Sequence, residues 1–373
     1  MTVDEILANG LGTLSSITQP AECPKNTSEK TVEVPKEISE FSIENMESLK
    51  IVRHFRSQSS LPNINRQNKN AQLNSGDANQ VSVVNSLDFT TDGSLLLASQ
   101  DNEAIKVIDC INGRYSQEIM SKKYGVDIVR HTHTNEVIVH TSTKVNNAVR
   151  YLSLHENKYI RYFQGHKGRI NCLETAPSND LFITSSADKT VRLWTLGSPN
   201  CQGVINMPSE SLVSFDPMGI IFGVAFNDTF IKLYDLKSFD QGPFSSFNIF
   251  PLYVPSKFHW VSMKFTPDGN KIAMTTDTNA IHMIDSFNGN LLYIFSNFEN
   301  EYGNIEITFS PNSDFAICGS SNGKIVAFHL ETGETLCTKN TQHVSVTNIK
   351  FNPVYAMLAT AECFIDIWLP TFE

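Results

Sequence analysis

The stretch that decides the fold is residues 165–195, GHKGRINCLETAPSNDLFITSSADKTVRLWT. Apolar residues alternate with polar ones along its runs, as at Val191 and Leu193. A period of two residues, interrupted by clusters of Asn, Asp, Ser and Pro, is typical of short antiparallel strands. The stretch therefore predicts three strands joined by tight turns, the last of which ends at Thr195.

The same pattern recurs along the chain. Seven residues that close a third strand are Ile108, Leu152, Trp194, Tyr234, Ile284, Phe328 and Trp368. They are separated by 44, 42, 40, 50, 44 and 40 residues, close to the roughly 40–45 residues of repeats that each form one propeller blade. Turn sequences such as FTTDG at Phe89 and FTPDG at Phe265 recur in the same register. With the opening Gly165-His166, these copies resemble WD40 repeats and predict an all-β fold, a seven-bladed WD40 β-propeller.

The ring needs a strand from elsewhere in the sequence to be complete. In a WD40 repeat the closing aromatic ends the third strand of a blade and the outer strand follows, but only five residues follow Trp368. Residues 49–56, LKIVRHFR, alternate as a strand ahead of the first full repeat. We expect this N-terminal strand to pair with the last blade, which closes the ring and removes its exposed edges. Deleting residues 1–45 is then expected to leave the fold intact, and deleting 1–57 to unfold it.

Composition divides the chain into three parts. Residues 1–45 are predicted to be a disordered acidic N-terminal extension, 46–373 the propeller, and 57–80 a flexible polar insertion rich in Asn, Gln and Ser. Residues 1–50 hold nine Asp or Glu against four Lys, a net charge of −5. Five apolar residues in this extension are spaced like one face of a helix: Val3, Ile6, Leu7, Leu11 and Leu14. The alternative to a disordered tail is therefore a peptide that docks on a partner.

Composition also excludes several classes of function. The 373-residue chain has a net charge of −10, which argues against sequence-specific binding of nucleic acid. Its seven cysteines form no CxxC pair, so we expect neither a zinc site nor a disulfide framework. No signal peptide and no membrane-spanning apolar run is recognisable, which predicts a soluble intracellular protein. Without a GxSxG, HExxH or P-loop motif, we expect no catalytic activity and no cofactor or metal.

One part of this acidic chain is basic. Residues 114–170 hold ten Lys or Arg against four Asp or Glu, a net charge of +6. This asymmetry predicts that blades two and three present a basic surface to an acidic or phosphorylated partner. The alternative is a set of scattered solvated charges, because neighbouring residues of a strand point to opposite sides. The candidate partner-binding residues are Lys122, Lys123, Arg150, Arg161, Lys167 and Arg169.

The pattern also predicts roles for a histidine–aspartate–tryptophan set and for a cluster of aromatic residues. His166, Asp188 and Trp194 occupy the places at which WD40 repeats form a buried hydrogen-bond network, so we assign them a structural role. Gln342-His343 repeats the motif weakly in the seventh copy, but no Asp stands at the matching spacing before Trp368. Seven aromatic residues between 239 and 260 are expected to pack an outer strand and its loop, although an exposed cluster would mark a partner site.

Several strings resemble one family more closely than the general repeat. They are SKKYGVDIVRHTH (121–133), RYLSLHENKYIRYFQGH (150–166), SPNCQG (198–203), KLYDLKSFDQGPF (232–244), FNPVYAMLATA (351–361) and WLP (368–370). Over about residues 48–371 the chain resembles the family of WD repeat-containing protein 82 and its fungal Swd-type counterparts.

That resemblance implies a non-catalytic scaffold subunit in the nucleus. The implied partners are the SET-domain methyltransferase of the COMPASS complex, which modifies lysine four of histone H3, or a scaffold subunit of the mRNA cleavage, polyadenylation and phosphatase machinery that terminates transcription. A link to the phosphorylated C-terminal tail of RNA polymerase II is also implied. Another kind of WD40 adaptor, such as a substrate receptor of a ubiquitin ligase, remains the alternative.

Overall fold

The computed structural model describes residues 41–56, 82–249 and 258–371. They lie in one compact unit, Val34–Glu373. The predicted extension up to residue 40 and the whole of the polar insertion at 57–80 lie outside the described residues. Within those ranges the structure has a single short α-helix, α1 (Ile43–Ser48), and 28 β-strands. No helix in this part of the chain has the length and apolar character needed to cross a membrane.

The strands form seven four-stranded antiparallel sheets, each of which is one blade. Blade 1 contains β2 Val84–Phe89, β3 Leu95–Gln100, β4 Ala104–Asp109 and β5 Arg114–Met120, and blade 2 contains β6 Val129–His131, β7 Val137–Thr141, β8 Val149–Ser153 and β9 Lys158–Phe163. Blade 3 contains β10 Ile170–Thr175, β11 Leu181–Ser186, β12 Thr190–Thr195 and β13 Ser198–Asn206, and blade 4 contains β14 Ser211–Phe215, β15 Ile221–Phe226, β16 Phe230–Asp235 and β17 Ser245–Asn248.

The remaining blades follow the same order. Blade 5 contains β18 Trp260–Phe265, β19 Lys271–Thr276, β20 Ile281–Asp285 and β21 Leu291–Phe295, and blade 6 contains β22 Ile307–Phe309, β23 Phe315–Gly319, β24 Lys324–His329 and β25 Thr335–Asn340. Blade 7 contains β26 Asn348–Phe351, β27 Leu358–Ala361 and β28 Ile365–Pro370, with β1 Leu49–Phe55 as its outer strand. The predicted seven-bladed propeller is confirmed, and each closing residue lies in the third strand of its blade.

The hydrophobic core is divided among the spaces between neighbouring blades. Between blades 2 and 3, the ring of Phe163 packs 4.8 Å from that of Phe182 and 5.9 Å from that of Trp194. All three side chains are almost fully buried. Because a neighbouring blade covers each face of a sheet, the middle strands are apolar on both sides, as β11 illustrates with its run of buried residues.

The N-terminal strand closes the ring as predicted. β1 pairs antiparallel with β28, so that Leu49 lies opposite Pro370 and Phe55 opposite Ile365. Side chains of blade 7 also bind the backbone of blade 1. The amide of Asn352 donates to the carbonyl of Gly93 at 2.8 Å, and Gly93 has a positive φ of 70°. A side chain at Gly93 would collide with Asn352, so the turn requires glycine for two independent reasons.

The closing strand also supplies a partner for a buried charge. The carboxylate of Asp366 on β28 is fully buried, and one of its oxygens lies 2.6 Å from Nδ1 of His54 on β1. Its other oxygen lies 3.2 Å from Nε2 of His343, which is buried as well. A buried carboxylate is costly without a hydrogen-bond partner, and among the described residues only the oxygen that faces His54 has one. The seventh blade therefore does contain an aspartate beside its histidine, at a spacing that the repeat pattern did not predict.

The predicted domain boundary at residue 46 is wrong by at least five residues. Phe41 is only 1% exposed, and the edge of its ring meets Phe315 at 5.9 Å and Phe351 at 5.0 Å. Ser42 caps the following helix, whose Met46 is also buried. A lone phenylalanine in an acidic segment carries no periodic signal, so the sequence did not reveal this anchor. Because a deletion of residues 1–45 would remove Phe41, we now expect deletion of residues 1–40 to leave the fold intact instead.

Replacing Phe41 with Ala is expected to lower the free energy of unfolding by about 3 kcal/mol, because it empties a buried site between blades 6 and 7. Ile43→Ala is the matched control, since Ile43 is 45% exposed and its truncation is expected to cost less than about 0.5 kcal/mol. Denaturant unfolding of both variants measures the difference. Equal midpoints for the two variants would show that Phe41 does not anchor the segment.

Candidate protein-interaction surface

The antiparallel order of the strands gives the propeller two faces. We call the upper face the one that carries the turns between second and third strands and the links from one blade to the next. The lower face carries the turns between first and second strands and between third and fourth strands. Loops on these faces are the usual place for binding residues, because the blades hold them rigidly.

Four of the six predicted partner-binding residues lie on the upper face. Lys122 and Lys123 lie in the link from blade 1 to blade 2, and Lys167 and Arg169 lie in the link from blade 2 to blade 3. All four are exposed. The backbone fixes the first link, because the N–H of Lys144 donates to the carbonyl of Tyr124 at 2.8 Å.

The other two predicted residues do not belong to this surface. Arg150 is only 2% exposed. Its Nε donates to Ser142 at 2.6 Å and its Nη2 donates to Asn146 at 2.9 Å. Arg161 is half-buried, and its guanidinium donates to the carbonyl of Leu196 in a lower-face turn. The prediction was wrong for Arg150, because charge counting along the chain does not reveal which side of a strand a residue faces. For Arg161, which lies away from the upper face, it stays a prediction.

Ion pairs reduce the net positive charge of the upper face. Arg169 binds Asp127 across the blade boundary at 2.6 Å, and Lys144 pairs with Glu103. Among the described residues, the side chains of Lys122 and Lys167 form no ion pair. Lys122, Lys123 and Lys167 are therefore the members of the predicted set that a partner can neutralise without breaking an ion pair among the described residues.

Aromatic side chains adjoin these lysines. The guanidinium of Arg150 lies 3.4 Å from the ring centre of Tyr124 and 4.8 Å from that of Tyr162. The ring centres of Tyr124 and Tyr159 are 5.2 Å apart. We call Tyr124, Tyr159 and Tyr162 the tyrosine cluster. Stacking on a cation stabilises this arrangement, and a hydrogen bond from Lys123 lowers the pKa of Tyr124.

The tyrosine cluster was not predicted from the sequence, although its members lie inside the family-specific strings quoted above. Tyr162 is 39% exposed, and the nearby Met120 and Ile160 are 45% and 50% exposed. The basic surface at blades 1 and 2 thus has an apolar and aromatic margin. Such a margin suits a peptide that combines acidic groups with apolar anchors.

A buried network in blade 3 holds the second basic link in place. Since burial lowers the pKa of His166, its imidazole is neutral; Nδ1–H then donates to Asp188 at 3.0 Å. Nε2 lies 2.7 Å from the hydroxyl of Thr184, which also accepts from the indole N–H of Trp194 at 2.9 Å. Asp188 further accepts from the backbone N–H of Lys167 at 2.8 Å. The network predicted from His166, Asp188 and Trp194 thus reaches the upper face directly.

The pKa of Asp188 reflects these contacts. Burial alone would raise it, but hydrogen bonds from Thr190, the backbone of Lys167 and His166 lower it below its usual range. The carboxylate is therefore charged at neutral pH and holds Lys167 in a fixed position. This geometry supports the structural role assigned to Asp188.

A second set of charged residues lines the inner strands around the central channel. Arg130 of blade 2 lies 3.5 Å from Glu174 of blade 3. The corresponding distance is 3.9 Å from Lys264 to Glu306 and 3.8 Å from Lys350 to Asp88. Each pair joins adjacent blades, and burial lowers the pKa of Lys264 to about 8. Arg130 was counted in the basic stretch, but it lies in the interior and adds nothing to the surface.

The aromatic residues between 239 and 260 divide into two groups. Phe247 and Trp260 are buried, and Phe258 is partly buried, in the core between blades 4 and 5, as expected. Phe239 is partly buried against the core between blades 3 and 4. Phe244 is 60% exposed on the lower face. Phe250 and Tyr253 lie outside the described residues.

Comparison with known proteins agrees with this architecture. Residues 157–195 match the family model "WD domain, G-beta repeat". The chain is 41% identical over 292 residues to WD repeat-containing protein 82 of Drosophila melanogaster, covering 78% of this chain and 91% of the relative. It is 34% identical to Set1 complex component swd2 of Schizosaccharomyces pombe, over 71% of this chain and 76% of the relative. COMPASS component SWD2 of Saccharomyces cerevisiae is 28% identical, over 77% of this chain and 90% of the relative.

The substitution Thr184→Val is expected to lower the free energy of unfolding by about 2–4 kcal/mol, because it leaves the indole N–H of Trp194 and Nε2 of His166 buried without a partner. Thr229→Val is the control, since the Thr229 hydroxyl donates to a single exposed carbonyl. Chemical denaturation of both variants provides the measurement. A Thr184→Val variant as stable as the control would mean that the network is not a stabilising unit.

Proposed function

Because this chain is a non-catalytic member of the WD repeat-containing protein 82 family of WD40 propellers, we propose that it is an adaptor subunit of a Set1/COMPASS histone methyltransferase complex. The observation that carries the proposal is its 34% identity with Set1 complex component swd2, over most of both chains. COMPASS component SWD2, which is 28% identical, supports the same assignment. A complex of this kind acts on chromatin, so the proposed location is the nucleus.

The proposed role is to hold a methyltransferase subunit by surface contacts. A propeller closed on itself is rigid and leaves only short sheet edges, so it presents its loops in fixed positions. The SET-domain subunit is the partner that the family assignment favours. Membership of the cleavage, polyadenylation and phosphatase machinery, either instead of or in addition to COMPASS, is the second part of the proposal.

We further propose that the upper face binds the phosphorylated tail of RNA polymerase II. Lys122, Lys123 and Lys167 are exposed, and none of them is engaged in an ion pair within the described ranges. Phosphate groups bring charge and strong acceptor oxygens, which such lysines bind well. The neighbouring tyrosine cluster adds apolar contact area for the side chains between the phosphates.

Affinity purification of the tagged full-length protein from nuclear extract tests the assignment to a complex. We expect mass spectrometry to identify a SET-domain methyltransferase, because two relatives are components of the Set1 complex or of COMPASS. Recovery of cleavage and phosphatase subunits alone would instead make the protein a termination subunit. Recovery of cullin-type ubiquitin-ligase subunits with neither set would contradict the proposal.

Charge reversal tests the upper face. The double variant Lys122→Glu, Lys123→Glu is expected to weaken binding of a phosphorylated polymerase-tail peptide by at least about tenfold, or 1.4 kcal/mol. Lys158→Glu is the matched control, because Lys158 is exposed but begins its strand at the lower face. Isothermal titration with the phosphorylated and unphosphorylated peptides measures both. Unchanged affinity in the double variant would exclude this surface as the phosphate site.

A further inference from the structure

Four large apolar side chains are exposed on the lower face of blades 4 and 5. They are Met218, Ile220, Phe244 and Phe287, whose exposed fractions are 69%, 56%, 60% and 76%. We call these four residues the apolar patch. Isolated apolar residues on a surface are ordinary, but several on adjoining turns indicate an interaction site.

Short contacts join the turns that carry the patch. The backbone N–H of Leu236 donates to the carbonyl of Ile220 at 3.0 Å, and that of Phe244 donates to the carbonyl of Leu233 at 3.0 Å. These hydrogen bonds fix the backbone at Ile220 and Phe244 against β16 and its C-terminal end. In blade 5, the hydroxyl of Ser286, next to Phe287, donates to the carbonyl of Gly269 at 2.7 Å.

The junction between the two blades is equally close. Gly269 of blade 5 lies against Pro217, the residue before Met218 of blade 4, and Gly289 of blade 5 lies against Phe247 of blade 4. The turns of the two blades are therefore in contact across the blade boundary.

Aspartate caps hold the patch in place. The carboxylate of Asp216 accepts from the backbone N–H groups of Met218, Ile220 and Ile221 at 2.7–3.1 Å. Asp285 accepts from the N–H of Phe287 at 2.8 Å. Turns with their N–H groups satisfied in this way are pre-ordered, which lowers the entropic cost of binding.

The same turns make the surroundings of the patch acidic. The lower-face segments 216–220, 235–244, 266–271 and 285–290 contain five aspartates and two lysines, a net charge of −3. An apolar surface with an acidic rim favours a partner that has apolar anchors and flanking Lys or Arg.

We propose that the apolar patch docks a short basic segment of a partner protein, whose aliphatic or aromatic side chains pack on Phe244 and Phe287. The chain's own N-terminal residues are disfavoured as the occupant, because 1–40 hold seven Asp or Glu against three Lys and would face like charge. The patch lies on the face opposite Lys122 and Lys123, so one propeller can hold an acidic partner above and a basic partner below.

The first test uses two synthetic twelve-residue peptides. One combines Leu, Phe and Lys, and in its counterpart every Lys is replaced by Glu. We expect the Lys peptide to bind the full-length protein at least about tenfold more tightly than the Glu peptide. The double variant Phe244→Ser, Phe287→Ser should lower the affinity for the Lys peptide by a similar factor. The matched control is Val145→Ser, Val344→Ser, because Val145 and Val344 are 76% and 68% exposed on upper-face loops.

Equal binding of the two peptides, or equal loss in the two double variants, would overturn the proposal. Circular dichroism establishes that both variants are folded. The phosphorylated polymerase-tail peptide provides an independent readout, since Phe244→Ser, Phe287→Ser should bind it normally. The two proposals can thus fail separately.

The second test identifies the occupant in cells. A photoreactive benzoylphenylalanine placed at position 287 is expected to cross-link to a segment of another protein that has apolar residues and a net positive charge. The cross-link should be lost when Phe244 is also changed to Ser. Cross-links to residues 1–40, to a second copy of the chain or to an acidic segment would overturn the proposal, as would the absence of any cross-link.

Discussion

The pairing of β1 with β28 is the interaction on which the rest of the structure depends. Without it, blade 7 would have three strands and the edge of β28 would be free to pair with another chain. The same strand brings His54 to the buried carboxylate of Asp366. It also follows the helix whose flanking Phe41 fills the space between blades 6 and 7. Hydrogen bonding, charge compensation and apolar packing therefore all meet at one junction between the N-terminal segment and the last two blades.

Polar contacts between and within blades then determine how they sit in the ring. In blade 3 the contacts from His166 to Thr184 and Asp188 connect the inner core to the link that carries Lys167. Blade 7 repeats the histidine–threonine–tryptophan contacts through His343, Thr360 and Trp368. Its aspartate, Asp366, comes from a different position in the repeat. Around the channel, three charge pairs join blades 2 to 3, 5 to 6 and 7 to 1. Buried polar groups of this kind are costly unless satisfied, so they favour one arrangement of neighbouring blades.

A rigid ring with fixed loops explains how a WD40 scaffold can act through its surface. The upper face at blades 1 to 3 presents Lys122, Lys123 and Lys167, none of which forms an ion pair among the described residues, and the tyrosine cluster adjoins Lys123. The lower face at blades 4 and 5 presents apolar side chains among aspartates. Because both faces belong to one rigid body, the distance between two bound partners would be fixed by the fold. This is a physical basis for the adaptor role that we propose.

The sequence by itself determined the number of blades, the third strand of each and the strand that closes the ring. The alternation of apolar residues and the residue types of the turns are local features, and they occur independently in each repeat. Only the tertiary structure decided that Arg150 is enclosed by tyrosines, that Arg130 lies in the channel and that Asp366 is matched by His54. These outcomes depend on which side of a strand faces a neighbour and on contacts between distant repeats, and neither is encoded in local periodicity. The boundary at Phe41 also depends on a contact between distant residues. A single aromatic residue forms no pattern in the sequence, and its role is evident only from its packing on Phe315 and Phe351.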